Sequence, residues 1–403
     1  LNIKTGQEQG IHTGRRILIT GGRAPAALDL ARQLAEQGYE VYAADSMASP
    51  LIRFSTCIKR YEMLPAPRVD EAAFGTALAV MVEKYSIELL IPTCEEIYYI
   101  AKLRGKLGSC MVFTDEAEKL TALHSKWAFI EMVREAGLAA PETKQLRSYT
   151  ELKQLHNPAS EQIWVLKPVY SRFATKVHIW HANESPPPAA ELQLSADSPW
   201  VAQAFVAGQE YCTYSIAKDG KLLAYSDYAV DFTAGRGAST FFKPCHQPQL
   251  RQWVETFAGH TQFTGQIAFD FIIDESGAVW PLECNPRATS GLHLFDRRDR
   301  LGRALWGTGQ PSSIIMPQQS RGKMIAAAML AYGLSQQRRQ RGLWRGSWHW
   351  LASMAGGRDV IFSWKDPGPF LMQGYVWFDL WRRARKAEQP LIAFTTADIE
   401  WNG

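Results

Sequence analysis

The chain has 403 residues and a mass of 45.3 kDa, enough for roughly two to four domains with ample core. With 46% hydrophobic and 21% charged residues it has the composition of an ordinary globular protein, which excludes disorder and collagen-like repeats. The net charge of +4 is unevenly spread: residues 331–403 hold ten Lys/Arg against six Asp/Glu and seven of the fourteen tryptophans, so the whole excess lies in this last stretch.

No apolar run reaches the ~18 residues a spanning helix needs, and the first 14 residues are polar, so neither a membrane span nor a signal peptide is expected. The six cysteines are far apart with no CxxC, which predicts reduced thiols in a cytoplasmic protein rather than a disulfide frame or zinc site.

After the polar arm, residues 16–22 read as a buried strand running into a glycine turn. Residues 25–38 carry helical spacing, and 40–45 form a second strand ending in Asp45. This strand–turn–helix–strand unit opens a parallel, doubly wound sheet. A helix over 71–85 and a strand over 88–92 continue the alternation. Thr93-Cys94-Glu95-Glu96 then stands at a strand C-terminus, the edge where open α/β sheets bind ligands. Gly21-Gly22 with Asp45 invites a dinucleotide reading, but the full G-x-G-x-x-G is absent and NAD is not expected. A short strand at 110–113 and a helix at 125–135 follow.

From residue 163 strands predominate: 164–167, 200–203, 211–216, 222–227, 265–273 and 278–283, the last two flanking the turn Asp274-Glu275-Ser276-Gly277. Glu283 and Asn285 are two apart and share a face, and the turn folds Asp270 back towards them. Two carboxylates and an amide oxygen on one spot suit Mg²⁺, with Mn²⁺ as the alternative. Asn285-Pro286-Arg287 adds a fixed turn and a cation. Lys126 and Lys167 are candidate phosphate partners; Lys167 ends an apolar strand before Pro168. The segment from Gln203 to Glu210 offers extended backbone that could read an adenine edge, then a carboxylate for ribose hydroxyls.

In this order the parts resemble the ATP-grasp superfamily over residues 15–300, specifically a carboxylate–amine ligase with a carbamoyl-phosphate-synthase-like ATP-binding core. The fold class implied is α/β and α+β: a Rossmann-like pre-ATP-grasp domain, a two-subdomain ATP-grasp fold and an extra C-terminal segment. The boundaries expected are a polar arm at 1–14, the pre-ATP-grasp domain at 15–120, a lid subdomain at 121–200, a nucleotide and metal subdomain at 201–310 and a Trp-rich basic extension at 311–403. The resemblance implies ATP with Mg²⁺ as cofactors. It makes Lys126 and Lys167 the nucleotide-phosphate lysines, and has backbone groups of Ala204 and Val206 face adenine. Glu210 becomes the ribose acid, Asp270, Glu283 and Asn285 the metal ligands, and Arg287 the arginine at the transferred phosphoryl group. Gln203 stands where many members carry Glu. The loop after Lys167 is usually glycine-rich; here 169–176 has no glycine, and Ser171 and Thr175 offer hydroxyls instead. Some members carry Arg two residues before the metal Asp, where this chain has Ala268. Loop 231–240 would face the acceptor, with Arg236 pairing a substrate carboxylate or the loop being plain connection.

The activity implied is ATP-dependent activation of a small carboxylate as an acyl-phosphate and its joining to an amine. The alternatives are a nucleotide-binding protein weakened in turnover, or a ligase serving a carrier-protein or lipid-linked acceptor. For the tail, the expectation is that its tryptophans pack on the core with the arginines solvated. The alternative is a basic amphipathic surface for a carrier protein or the inner membrane face. Nucleic acid is not expected as a partner; a homodimer is compatible with the sequence.

Overall fold

The computed structural model describes residues 14–171, 176–235, 237–307, 313–388 and 391–403. Thr175 and Arg236, both singled out from the sequence, lie outside the described residues.

The first unit is a five-stranded parallel sheet in the order β3-β2-β1-β4-β5, built from β1 (Arg16–Thr20), β2 (Glu40–Asp45), β3 (Ile58–Met63), β4 (Leu89–Ile91) and β5 (Met111–Val112). Ile17, Leu18 and Ile19 are fully buried because helices cover both faces of such a sheet. Helix α1 (Pro25–Glu36) starts on a proline whose fixed φ suits a first turn, and it buries Leu28, Leu30, Ala31 and Leu34 against the sheet. Gly21 takes φ +70°, and a Cβ there would stand 2.6 Å from Thr93 Oγ1, so the turn between β1 and α1 requires glycine. Helix α2 (Glu71–Lys84) is capped by Asp70, whose side chain accepts from the Ala73 N–H. Strand β3 was not anticipated: it is an edge strand carrying Lys59 and Arg60, so it lacks an apolar run.

Helices α3 (Ile97–Ala101), α4 (Ala117–His124) and α5 (Lys126–Glu135) lead into an antiparallel sheet ordered β6-β9-β7-β8. Its strands are β6 (Thr143–Leu146), β7 (Ile163–Pro168), β8 (His178–His181) and β9 (Trp200–Ala204), with helices α6 (Tyr149–Gln154) and α7 (Ala189–Leu192) between them. Leu146, Leu152, Trp164, Leu166, Trp180 and Trp200 form its own core. A second antiparallel sheet joins β10 (Gln209–Lys218) and β11 (Lys221–Ala229) to strands Gly265–Ile273 and Val279–Asn285. Helix α8 (Pro248–Thr261) covers it, with Trp253 and Phe257 stacked on each other and both meeting Phe269 edge to face. The mixed fold class expected from the sequence is the one observed.

The last stretch is not a free arm. Arg32 of α1 donates to Asp366 at 2.8 Å, and the same carboxylate accepts from Ser55 Oγ and the Thr56 N–H. Val360, Ile361, Val376 and Leu380 enter the core of the first sheet. Asp366→Ala would leave the Arg32 guanidinium buried without its carboxylate and is expected to cost about 3 kcal/mol, measured by denaturant unfolding.

The expectation that the tail's tryptophans pack on the core is overturned for five of the seven in residues 331–403. Trp344, Trp348, Trp364, Trp377 and Trp381 are all exposed. Aliphatic side chains supply the tail's packing instead, with Trp350 donating to the Met329 carbonyl at 3.0 Å and Trp401 lodged between tyrosines. No helix among the described residues is long and apolar enough to cross a membrane.

Candidate active site

Asp270 and Glu283 face each other across the ladder of the 265–273 and 279–285 strands, with Ala268 opposite Asn285. Alternation decides the faces: Phe269, Phe271 and Cys284 turn into the core, leaving Asp270, Glu283 and Asn285 on the other side. The turn is set by Asp274, whose Oδ1 accepts from the N–H groups of Ser276 and Ala278, and by Gly277 at φ +84°. Burial, then the neighbouring Glu283 charge, pushes the Asp270 carboxyl well above its usual range. Burial works the same way on Glu283, but Lys126 and Lys167 overcome it and hold that carboxyl down.

Lys126 occupies the first position of α5, after Ser125, whose Oγ accepts from the Ala128 N–H. Its ammonium lies 3.4 Å from Glu283 Oε2 and donates to the Ser171 carbonyl at 3.0 Å. Lys167, on β7, donates to Gln203 Oε1 at 2.9 Å and to the Leu282 carbonyl at 3.2 Å. Gln203 is Lys167's diagonal neighbour on β9, and its Nε2 donates to Thr143 Oγ1, which orients its oxygen towards the lysine. Burial, then the charge of Lys126, lowers the Lys167 pKa to about 8. Gln203→Glu would set a carboxylate at hydrogen-bond distance and is expected to raise that pKa by about 1–3 units, readable by NMR of isotope-labelled lysine.

Arg287 curls back over the same spot, donating to Asn285 Oδ1 at 3.0 Å, and its Nε stands 4.0 Å from Glu95 Oε1. Asn285 Nδ2 points at Asp270 Oδ2 (3.5 Å) and Glu283 Oε1 (3.3 Å). The amide nitrogen therefore faces the carboxylates, and Asn285 would serve a metal only after its amide turns over. Among the described residues no group of three or more His, Cys, Asp or Glu is disposed to hold a metal alone. Two carboxylates and one amide oxygen nonetheless fit a hard cation that takes its remaining oxygens from phosphate groups.

The hinge between the sheets runs from Ala204 to Gln209. The Ala204 N–H is donated to the Glu142 carbonyl at 2.7 Å, so it does not face the cleft as a free donor. Val206 is half-buried beside the exposed Phe205. A Cβ on Gly208 would come within 2.3 Å of the Ile273 carbonyl, so this crossing needs glycine. Glu210 lies two residues from Cys212, the register partner of Asp270, and thus on the same sheet face as the carboxylate pair. Ser171 Oγ rests 3.4 Å from the Pro168 carbonyl, beside the lysines.

The sequence marked Glu95 and Glu96 at this edge but not their separate partners, and it gave no sign of the tail's return. Glu95 and Glu96 diverge: Glu96 Oε1 accepts from Thr20 Oγ1 and from the N–H groups of Thr93 and Cys94, fixing the crevice loop, while Glu95 faces Arg287. The last residues also return to this edge. The Trp401 N–H donates to Glu95 Oε2, Trp401 stacks on Tyr98, and Asp398 pairs with Arg23. Arg23 binds Asp45 as well, so the acid expected of a dinucleotide site is taken up by a salt bridge. His293, buried, is bonded to Asp29 at 2.8 Å and is structural.

The sequence pattern of the ATP-grasp domain matches residues 123–291, the stretch that contains Lys126 and reaches past Arg287. Among solved structures the chain is similar to N5-carboxyaminoimidazole synthetase from Staphylococcus aureus, at 14% identity over 77% of this chain and 82% of that one, TM-score 0.60. It is similar to L-amino acid ligase from Bacillus licheniformis, at 14% identity over 77% and 79%, TM-score 0.59. A third is the biotin carboxylase domain of 2-oxoglutarate carboxylase from Hydrogenobacter thermophilus, at 13% identity over 75% and 72%, TM-score 0.59. No curated protein sequence matches the chain. These likenesses concern the fold, and the domain match agrees with them: residues 123–291 form an ATP-grasp domain.

Proposed function

We propose that this chain is a cytoplasmic, ATP- and Mg²⁺-dependent ligase that activates a small carboxylate as an acyl-phosphate and joins it to an amine, releasing ADP and phosphate. The division into pre-ATP-grasp, lid, nucleotide and C-terminal parts at 120, 200 and 310 belongs to the same proposal. One observation carries it: Lys126, Lys167 and Arg287 converge on the Asp270–Glu283 pair between two sheets. The S. aureus synthetase is also known complexed with ADP, and the H. thermophilus domain with MgADP and bicarbonate, which supports a nucleotide in a fold of this kind.

In this reading Asp270, Glu283 and Asn285 would hold the metal, which supplies positive charge at the phosphate oxygens when bound. Lys126 and Lys167 neutralise the phosphates. Ser171 borders them, Thr175 belongs to the same loop, and Val206, the Ala204 carbonyl and Glu210 flank the adenosine. The γ-phosphoryl leaves ADP and bonds to a carboxylate oxygen, so two anions must approach each other. Arg287 and the lysines lower that repulsion and stabilise the charge spreading over the phosphoryl oxygens. The amine nitrogen then attacks the acyl carbon, loses a proton, and phosphate departs. Glu95, held beside Arg287, would orient the acceptor, with Arg236 proposed as a carboxylate partner.

A phosphate-release screen over pooled carboxylates and amines, with products identified by mass, tests this. Release that needs an acid and an amine together supports the ligase; release driven by bicarbonate alone replaces it with a carboxylase. The glycine-free loop 169–176 favours a second reading, nucleotide binding with weakened turnover, which predicts tight ATP binding and no release across the panel.

A further inference from the structure

Helices Leu334–Arg341 and Leu343–Gly356 form an antiparallel hairpin whose outer surface runs against the usual rule for amphipathic helices. In the second helix, Trp344, Trp348, Leu351 and Ala355 recur at helical spacing, so they lie on one stripe, and all four are exposed. Trp344 is 84% and Trp348 74% accessible, while Gly346 is buried and Trp350 and Met354 pack inward beside Phe232. Leu330 and Tyr332, just ahead of the first helix, are exposed too, as is Leu343 at the turn. An apolar stripe that turns outward lacks a partner among the described residues.

Charge identifies the partner. Between Asp299 and Asp359 the sequence holds no Asp or Glu, and the turn end of the hairpin carries Arg338, Arg339, Arg341 and Arg345. Arg341 and His349 are tied to Asp231, which clamps the hairpin to the body of the protein and leaves the stripe outermost. Helix Gln373–Lys386 repeats the composition, exposing Tyr375, Trp377, Phe378 and Trp381 ahead of Arg382, Arg383, Arg385 and Lys386. Tryptophan rings partition to the boundary between headgroups and acyl chains, and arginines beside them meet lipid phosphates. Two copies of this face set together about a two-fold axis would bring arginine against arginine with no acid of the hairpin between them.

We propose that the 334–356 hairpin docks on an anionic lipid surface, its tryptophans seated at the interface. Flotation of the full chain with vesicles of phosphatidylcholine, alone or mixed with phosphatidylglycerol, tests this. The chain is expected to float with the mixed vesicles, to stay behind with pure phosphatidylcholine, and to be released by high salt. Trp344→Ser with Trp348→Ser is expected to weaken vesicle binding at least tenfold at an unchanged melting temperature, since both rings are solvent-exposed. Arg345→Gln is expected to weaken it about fivefold. No flotation with either vesicle overturns the proposal, as does equal flotation of the double tryptophan variant. A dimer in solution that the double variant dissolves, with no vesicle binding by the parent chain, overturns it in favour of a second copy.

Discussion

Lys167→Met is expected to lower phosphate release by about 10²–10³ while leaving the fold intact. The ammonium is buried, its pKa is lowered to about 8, and its contacts are the neutral oxygens of Gln203 and Leu282. Burial and the second lysine outweigh the attraction of Glu283 and Asp270, so the cation gains further from an arriving anionic ligand. Methionine keeps most of the volume. Stability is then set by opposed effects: the desolvated charge and its repulsion from Lys126 are removed, while two acceptors lose their donor at about 1 kcal/mol each and Glu283 loses one of its two lysines. The melting temperature should stay close to that of the parent, and unchanged phosphate release would remove Lys167 from the phosphate site. The same lysine predicts a pH profile. In the nucleotide-free chain it loses its proton as pH rises past about 8, so affinity for nucleotide should fall above that value. Over the window from about 8 to the ordinary lysine value of ~10.4, the unfolded chain holds a proton the folded one lacks, so folding stability should rise with pH.

Asp270→Asn is expected to separate stability from activity in the other direction. The wild-type carboxyl is raised first by burial and then by Glu283 across the ladder. A raised carboxyl contributes stability below its ordinary value of ~3.9, and that contribution is lost as pH rises through the raised value. At neutral pH the ligand-free protein therefore carries an unfavourable pair of carboxylates. The amide relieves it while preserving shape, so the variant should melt higher than the parent near neutrality and lose the advantage on acidification. Phosphate release should fall at least about 10²-fold, because one of two charged ligands is gone. Thermal melts across that pH range check the first half; a variant less stable than the parent at neutral pH would mean that the Asp270–Glu283 pair is not strained.

Local pattern carried much of this site. The 265–285 hairpin was legible because apolar residues alternate on either side of a turn built from Asp274 and Gly277, and that alternation alone puts Asp270, Glu283 and Asn285 together. Lys167 stood out because an apolar strand ends on it. Helix α8 carries an equally plain signal, with Leu250, Trp253, Val254, Phe257 and Ala258 at helical spacing. Contacts made by distant segments were beyond such reading. Nothing near Glu95 announces Arg287, and nothing in the tail announces that Asp398 would meet Arg23 or Trp401 meet Tyr98. The tail's tryptophans misled for a physical reason. Hydrophobicity tells that a side chain gains by leaving water, but not whether the protein's own core or another surface receives it. The orientation of the Asn285 amide follows from the competing demands of Arg287 and two carboxylates, which spacing does not encode.

Whether Lys126, Lys167 and the Asp270–Glu283 pair hold a nucleotide's phosphates with a divalent cation is decided by calorimetric titration with ATP and Mg²⁺. The wild-type chain is expected to bind ATP, more tightly with Mg²⁺ than without. Binding should be lost in Lys167→Met, and the benefit of Mg²⁺ in Asp270→Asn, with both variants folded. ATP binding that is absent from the wild type, or that survives Lys167→Met unchanged, would contradict it.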